Sequence, residues 1–220
     1  MSRNPLVIFD CDGVLVDSER VASAVFAEHL CQFGLAYTAQ DCAQLFTGLS
    51  LESCGQLLAE KHGVDLPVSF FAKMQVDTFA RFSQTLHPVE GIHAVLDFLD
   101  GGCWQYCVAS SGSYEKMHFT LGHTGLLKRM SGRLYSASDV ARGKPAPDLF
   151  MYAAKQQQRA PAHCVVIEDA WPGVQAAHAA GMRVCAFGAQ HAKAARQMPD
   201  TVAFTDMSEL PAILSNMLRS

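Results

Sequence analysis

The sequence predicts an α/β chain, a parallel sheet wrapped by helices and interrupted near its start by a helical lobe. Three observations lead there. Short, uniformly apolar runs recur along the chain, each closed by polar residues, Gly or Pro. From residue 88 onwards these runs alternate with helical patterns. The first run is also cut off from the others by residues 18–86, which carry helical patterns and no convincing strand.

The strands come first. Leu6–Phe9, Tyr106–Ala109, Cys164–Ile167 and Arg183–Phe187 are brief and rich in β-branched or aromatic residues. They are apolar throughout instead of alternating, the pattern of parallel strands buried on both faces. A further run, Val202–Phe204, followed by Met207–Leu218, adds an edge strand and a last helix. Between the strands, Val89–Leu99 places Ile92, Val95, Leu96 and Leu99 at helical spacing. Asp148–Gln157 follows Pro147, and the alanine-rich Pro172–Ala180 stops at Gly181. Proline in the first turn and glycine past the last are ordinary helix boundaries. Strands alternating with helices indicate βα units around a parallel sheet. In the lobe, Val21–Leu30, Gln44–Leu58 and Phe70–Phe82 read as amphipathic helices. The expected division is a core of residues 1–16 and 87–220 and a helical insert of residues 17–86, with hinges at Asp17–Glu19 and at His87-Pro88.

Composition narrows the classes of function. The chain has 220 residues, half of them hydrophobic, which suits one domain carrying an inserted lobe. With 17 basic and 21 acidic residues, the net charge of −4 gives no general attraction to nucleic acid or anionic membrane. The longest apolar runs fall short of the roughly 18 residues a membrane span needs. Asp10 arrives too early for a signal-peptide core. The eight cysteines are scattered and never paired as C-x-x-C, so they read as buried free thiols of a cytoplasmic protein. No coiled-coil heptads are present, and the chain is expected to be a monomer.

The chemistry sits at the strand tips. The first strand ends in Asp10-Cys-Asp12-Gly13, the second in Ser110-Ser111-Gly112-Ser113 and the third in Glu168-Asp169. Two carboxylates at the end of a buried strand are costly unless something binds them, although a turn rich in Asp and Gly also has a purely structural use. A run of hydroxyls with a glycine suits an anion. In sheets of this kind ligands lie beyond the carboxyl ends of the strands, so the three tips converge in one crevice. Arg142-Gly-Lys144-Pro-Ala-Pro-Asp148 adds a lysine on a loop stiffened by prolines. Carboxylates, hydroxyls and one lysine are equipment for a phosphoryl group held through a divalent cation. Mg²⁺ suits such a site because it needs one or two carboxylates, waters and the substrate's phosphate. No G-x-x-x-x-G-K-[ST] loop occurs, which disfavours nucleotide binding of that type.

D-C-D-G-V-L-V-D-S at 10–18, V-A-S-S at 108–111, G-K-P-A-P-D at 143–148 and V-I-E-D-A-W-P-G at 166–173 together resemble the haloacid dehalogenase superfamily, in its motif order and over essentially the whole chain. The likeness is greatest to the sugar-phosphate phosphatases with a helical cap, including the 6-phosphogluconate phosphatase and β-phosphoglucomutase branch. It implies a Rossmann-like core with residues 17–86 as the cap. Asp10 would be the nucleophile that forms an aspartyl-phosphate, and Asp12 the general acid and base. Ser110, Ser111 and Lys144 would bind phosphate. Mg²⁺ would be held by Asp10, the main-chain carbonyl of Asp12 and Asp169, with Glu168 a ligand directly or through water. The partner implied is a small phosphorylated metabolite.

Asp12 favours phosphate esters, because the superfamily's dehalogenases lack this second aspartate. The cap lysines Lys61 and Lys73 stand in no motif of the phosphonate-cleaving branch. The cap segment Thr47-Gly48-Leu49-Ser50-Leu51 places Thr47 and Leu51 where the mutases present basic residues, and Ala22 stands where they have a histidine. These departures argue for hydrolysis over phosphoryl relay, and against substrates with a second anionic group. A mutase and a catalytically silent binding protein are the competing readings. Thr47, Gly48 and Ser50 are the candidates for substrate selection, as cap loops usually carry specificity; a plain helix-linking turn is the alternative.

Overall fold

The computed structural model describes residues 5–46, 51–188 and 192–217. The chain divides into two compact units, one of residues 1–17 and 87–220 and one of residues 18–86. The first begins with β1 (Leu6–Phe9). The second holds α1 (Ser18–Gln32), α2 (Ala39–Phe46), α3 (Leu51–His62) and α4 (Val68–Thr85). The first unit resumes with α5 (Ile92–Gly101), β2 (Gln105–Ser110), α6 (Tyr114–His123), α7 (Leu127–Met130) and β3 (Leu134–Ser136). It continues through α8 (Asp148–Gln156), β4 (Cys164–Glu168), α9 (Trp171–Ala179), β5 (Arg183–Phe187), α10 (Ala192–Ala195), β6 (Thr201–Phe204) and α11 (Leu210–Met217).

The six strands form one sheet in the order β3-β2-β1-β4-β5-β6, every pair parallel. All four residues of β1 are fully buried, which is why the run does not alternate. Leu6 and Ile8 join a core with Leu149 and Phe150 of α8 and Val174 of α9. Phe9, pointing the other way as successive strand residues must, meets Tyr106 edge-on with ring centroids 6.4 Å apart. At the root of the insert, the Asp17 N–H donates to His87 O at 2.9 Å, so Asp17 belongs to the sheet unit.

Four elements of this unit escape the sequence pattern, β3, α6, α7 and the four-residue α10. β3 is three residues long, too short to announce itself. The stripes of α6 (Met117, Thr120 and Leu121) and of α7 (Met130) are narrow. The eight cysteines are free, but Cys31 and Cys103 are exposed, so the expectation of buried thiols fails at those two. Cys31 faces outward near the end of α1, and Cys103 lies in the turn after α5. No helix among the described residues is long and apolar enough to cross a membrane.

A charged cluster braces the end of α5. Arg129 donates to Asp97 Oδ1 at 2.7 Å and to Asp100 Oδ2 at 2.5 Å, and Tyr106 Oη donates to Asp100 Oδ1 at 2.8 Å. Burial alone would raise the Asp100 pKa, but the hydrogen bonds from Arg129 and Tyr106 outweigh it and hold the carboxyl below its ordinary value. A depressed carboxyl stabilises the fold above its unfolded pKa of roughly 3.9, and that contribution is lost as pH falls through the folded value. Asp100→Asn should therefore lower the Tm at pH 7, and the deficit should shrink as pH drops below about 4. Thermal melts of both proteins across pH check this; a pH-independent deficit would contradict it.

The second unit has its own core, in which Phe26 lies 5.0 Å from Phe46 and 6.1 Å from Phe70, ring centroid to ring centroid. His29 Nε2 lies 2.8 Å from Asp77 Oδ2, and Arg81 donates to both oxygens of Glu28 at 3.2 and 2.8 Å, joining α1 to α4. The single helix expected over Gln44–Leu58 is corrected: α2 ends at Phe46 and α3 begins at Leu51. Each helix has a buried pair at i,i+4 spacing, Cys42 with Phe46 and Cys54 with Leu58, so two short stripes in sequence read as one.

Candidate active site

The strand register assembles the site. Phe9 of β1 pairs with Val108 of β2 and with Ile167 of β4, so Asp10 emerges level with Ala109 and Glu168. β1 is central in the sheet, and the tips of its two neighbours carry Ser110 on one side and Glu168-Asp169 on the other. The Asp10 N–H donates to Ile167 O at 2.9 Å and fixes the start of the loop.

Lys144 is the centre of the charge arrangement. Its ammonium donates to Asp10 Oδ1 at 2.5 Å and to Glu168 Oε1 at 2.6 Å, and its side chain is only 6 % exposed. It also stands 4.9 Å from the centre of the Phe150 ring. The loop that delivers it is closed at its base by Arg142, which donates to both oxygens of Asp148 at 3.0 and 2.8 Å. The second oxygen of Glu168 accepts the Ala170 N–H at 2.9 Å, so both Glu168 oxygens are engaged by protein donors.

These contacts set the protonation states. Burial pushes the Asp10 pKa up, to about 7; Lys144 opposes that, while the charges of Glu168 and Asp12 reinforce it. Burial would lower the pKa of Lys144, but Asp10 and Glu168 outweigh it and keep the ammonium charged. Burial, then the charges of Asp12 and Asp10, push the Cys11 thiol well above its ordinary range. A thiol so held is not a thiolate near neutrality.

Glycines admit the remaining groups. Gly13 has φ +79°, and a Cβ there would strike the Asp169 carboxylate, so that carboxylate lies directly against the Asp12-Gly13 turn. A Cβ on Gly173 would run into the Glu168 carboxylate. Gly173→Ala should displace Glu168 from Lys144, costing about 1–3 kcal/mol by overpacking and, by misplacing Lys144, about 100-fold in kcat. Stability and turnover measured on one preparation check this; a variant with wild-type kcat would contradict it.

On the hydroxyl loop, the buried Ser110 Oγ accepts the Gly112 N–H at 3.0 Å and keeps its own proton for another acceptor. Ser111 is exposed on the same loop. Asp12 has a partner the sequence did not reveal: Lys116 Nζ, at 2.8 Å. Lys116 lies in the first turn of α6, three residues after the cap Ser113. The structure thus gathers Asp10, Asp12, Ser110, Lys144, Glu168 and Asp169 at one end of the sheet. Thr47, Gly48 and Ser50 lie outside the described residues.

A hard divalent cation suits the donors present. Asp10, Asp169 and the Asp12 carbonyl are all oxygen donors, and the Asp10 carboxyl is raised by burial, with the charges of Glu168 and Asp12 adding to it, even with Lys144 beside it. Among the described residues, no three His, Cys, Asp or Glu side chains form a ready-made cage. An ion completed by main-chain, water and substrate oxygens is the mode Mg²⁺ favours.

The chain is similar to known proteins over nearly its whole length. The chain is 31% identical to the 6-phosphogluconate phosphatase of Escherichia coli over 214 residues, covering 97% of this chain and 96% of that one. A conserved haloacid dehalogenase-like protein of Agrobacterium tumefaciens superposes with a TM-score of 0.90 at 29% identity, covering 97% and 99% of the two chains. A HAD family hydrolase of Deinococcus radiodurans, solved with bound phosphate and sodium, superposes with a TM-score of 0.84 at 28% identity, covering 99% and 98%. The model of the haloacid dehalogenase-like hydrolases matches residues 7–187, which contain every one of the gathered side chains, and the chain belongs to that family.

Proposed function

We propose that this chain is a Mg²⁺-dependent phosphatase that hydrolyses small phosphate monoesters, sugar phosphates foremost, through an aspartyl-phosphate on Asp10. The observation that carries the reading is the buried Asp10 carboxyl held at 2.5 Å by Lys144, at the tip of a strand whose paired neighbour ends in the buried Ser110. An anionic nucleophile meets an anionic ester only where cations offset the repulsion. Lys144 supplies one such charge, and its tie to Glu168 keeps it from following Asp10 when that carboxylate moves onto phosphorus.

Asp10 attacks phosphorus, and Asp12 protonates the leaving alcohol and then takes a proton from the attacking water. Ser110 donates its hydroxyl proton to a phosphoryl oxygen. Asp10, Asp169 and the Asp12 carbonyl would hold Mg²⁺, which supplies further charge neutralisation when bound. Glu168, with both oxygens engaged, anchors Lys144, and its contribution to holding the ion would come through water. Residues 18–86, the cap, would carry the choice of leaving group, and the named activity of the Escherichia coli relative supports sugar phosphates as the class.

The test is phosphate release from a panel of sugar phosphates, phosphoglycolate, nucleotides and phosphonates, with Mg²⁺ and with chelator. Metal-dependent release from monoesters, greatest for sugar phosphates, is expected. Silence across the panel, or release indifferent to chelator, would overturn the reading.

A further inference from the structure

The mechanism gives each lysine–aspartate pair of the site a different task. Lys144 serves the nucleophile, while Lys116 holds the other aspartate from a different direction. Its ammonium donates to Asp12 Oδ2 at 2.8 Å across 104 residues of sequence. The Asp12 side chain is 16 % exposed and that of Lys116 is 30 % exposed, so the pair is half sheltered.

The lysine's path is built. Its N–H is capped by Ser113 Oγ at 3.2 Å, and its carbonyl accepts the Thr120 hydroxyl at 3.0 Å, which fixes its root in the first turn of α6. The stem then crosses Gly112. A Cβ on that glycine would stand 3.3 Å from Ser110 Oγ, 3.4 Å from Lys116 Cδ and 3.6 Å from Asp12 Oδ2. The Gly112 carbonyl is itself pinned by the Ser136 hydroxyl at 2.8 Å. Groups from the β1 tip, the hydroxyl loop and α6 therefore close around one fixed glycine. An ordinary surface ion pair needs none of this.

We propose that Lys116 is a positioning residue, which holds the Asp12 carboxylate by Oδ2 and keeps it in the rotamer that serves proton transfer. The inference rests on the phosphatase reading. As an Asp10 oxygen bonds to phosphorus, the ester P–O bond breaks, its electron pair goes to the alcohol oxygen, and that oxygen takes the Asp12 proton. Water then attacks phosphorus and gives a proton back to Asp12. The bond from phosphorus to Asp10 breaks, its pair returns to the carboxylate, and phosphate leaves. An untethered Asp12 would sample several rotamers, and only one of them reaches the alcohol and later the water.

Lys116→Met and Lys116→Arg, made in the full chain and assayed with Mg²⁺ on a hexose 6-phosphate, test this. Lys116→Met should lose about 100-fold in kcat, with KM within about twofold of wild type. Lys116→Arg should recover at least about tenfold of that loss. With p-nitrophenyl phosphate, whose leaving group departs without a proton, Lys116→Met should keep a fast first turnover and then slow, because release from Asp10 still needs the base. If the methionine variant fails to fold, Lys116→Gln against Lys116→Arg gives the same contrast. An unchanged kcat would make the pair a surface contact, and a rise in KM alone would make Lys116 a substrate ligand. A higher kcat would make it a restraint on Asp12, and arginine no better than methionine would leave its charge without a role. Each overturns the proposal while the phosphatase reading stands. A wild-type protein inactive on every ester overturns both.

Discussion

Asp10→Asn should abolish phosphate release, by about 10⁴-fold or more, because it removes the attacking oxygen's charge and keeps its shape. The fold should survive. In the metal-free protein the Asp10 carboxyl titrates near 7, raised by burial and by its acidic neighbours against the pull of Lys144. A raised carboxyl is favoured protonated in the native state, so its ionisation costs stability as pH rises from the unfolded value of roughly 3.9 towards that point. With chelator present at pH 8, Asp10→Asn should melt at or above the wild-type temperature, and added Mg²⁺ should stabilise wild type more than the variant. A variant that melts well below wild type at pH 8 would contradict this account of the charge cluster. Residual turnover within tenfold of wild type would remove Asp10 from the role of nucleophile.

Lys144→Met should damage both activity and stability. It leaves Asp10 and Glu168, both buried, facing each other without the ammonium that now lies within 2.6 Å of each. Removing one partner of a buried ionic group costs about 3–5 kcal/mol, since it strands charge in a poorly polarisable interior. For a chain of this size that is a fall in Tm of roughly 10 °C. Turnover should fall by about 10³-fold, the scale of losing a placed charge at a developing anion. The double variant Lys144→Met, Glu168→Gln should recover part of the stability and none of the activity, because it relieves the repulsion without restoring the cation. Denaturant titration and steady-state kinetics on the two proteins check both halves. Full stability in the single variant would show that the carboxyls do not depend on Lys144.

The sheet was legible because its central strands β1, β2 and β4 are buried on both faces, and burial on both faces leaves no room for polar residues until the strand ends. That same fact exposed Asp10, Ser110 and Glu168, since a polar residue closing an apolar run at once marks a strand tip. Lys144 was legible through the prolines around it. Lys116 was not. A lysine in the first turn of a helix looks like solvated surface, and its partner lies 104 residues away, a distance at which local pattern carries no information. β3 was hidden by its three-residue length, and α2 and α3 were merged because each repeats the same i,i+4 spacing. The roles of Gly13 and Gly173 needed coordinates as well. Their value lies in the carboxylates of Asp169 and Glu168, which occupy the space a side chain would fill.

The central claim is covalent chemistry at Asp10, and the most direct measurement is to catch it. The protein would be mixed with Mg²⁺ and a sugar phosphate carrying radiophosphate, quenched in acid within a turnover and digested to peptides. The account predicts acid-stable, base-labile label on the peptide bearing Asp10, absent from Asp10→Asn and chased off by unlabelled substrate. Rapid phosphate release with no labelled protein at any time would contradict it, and would mean that water attacks the ester directly.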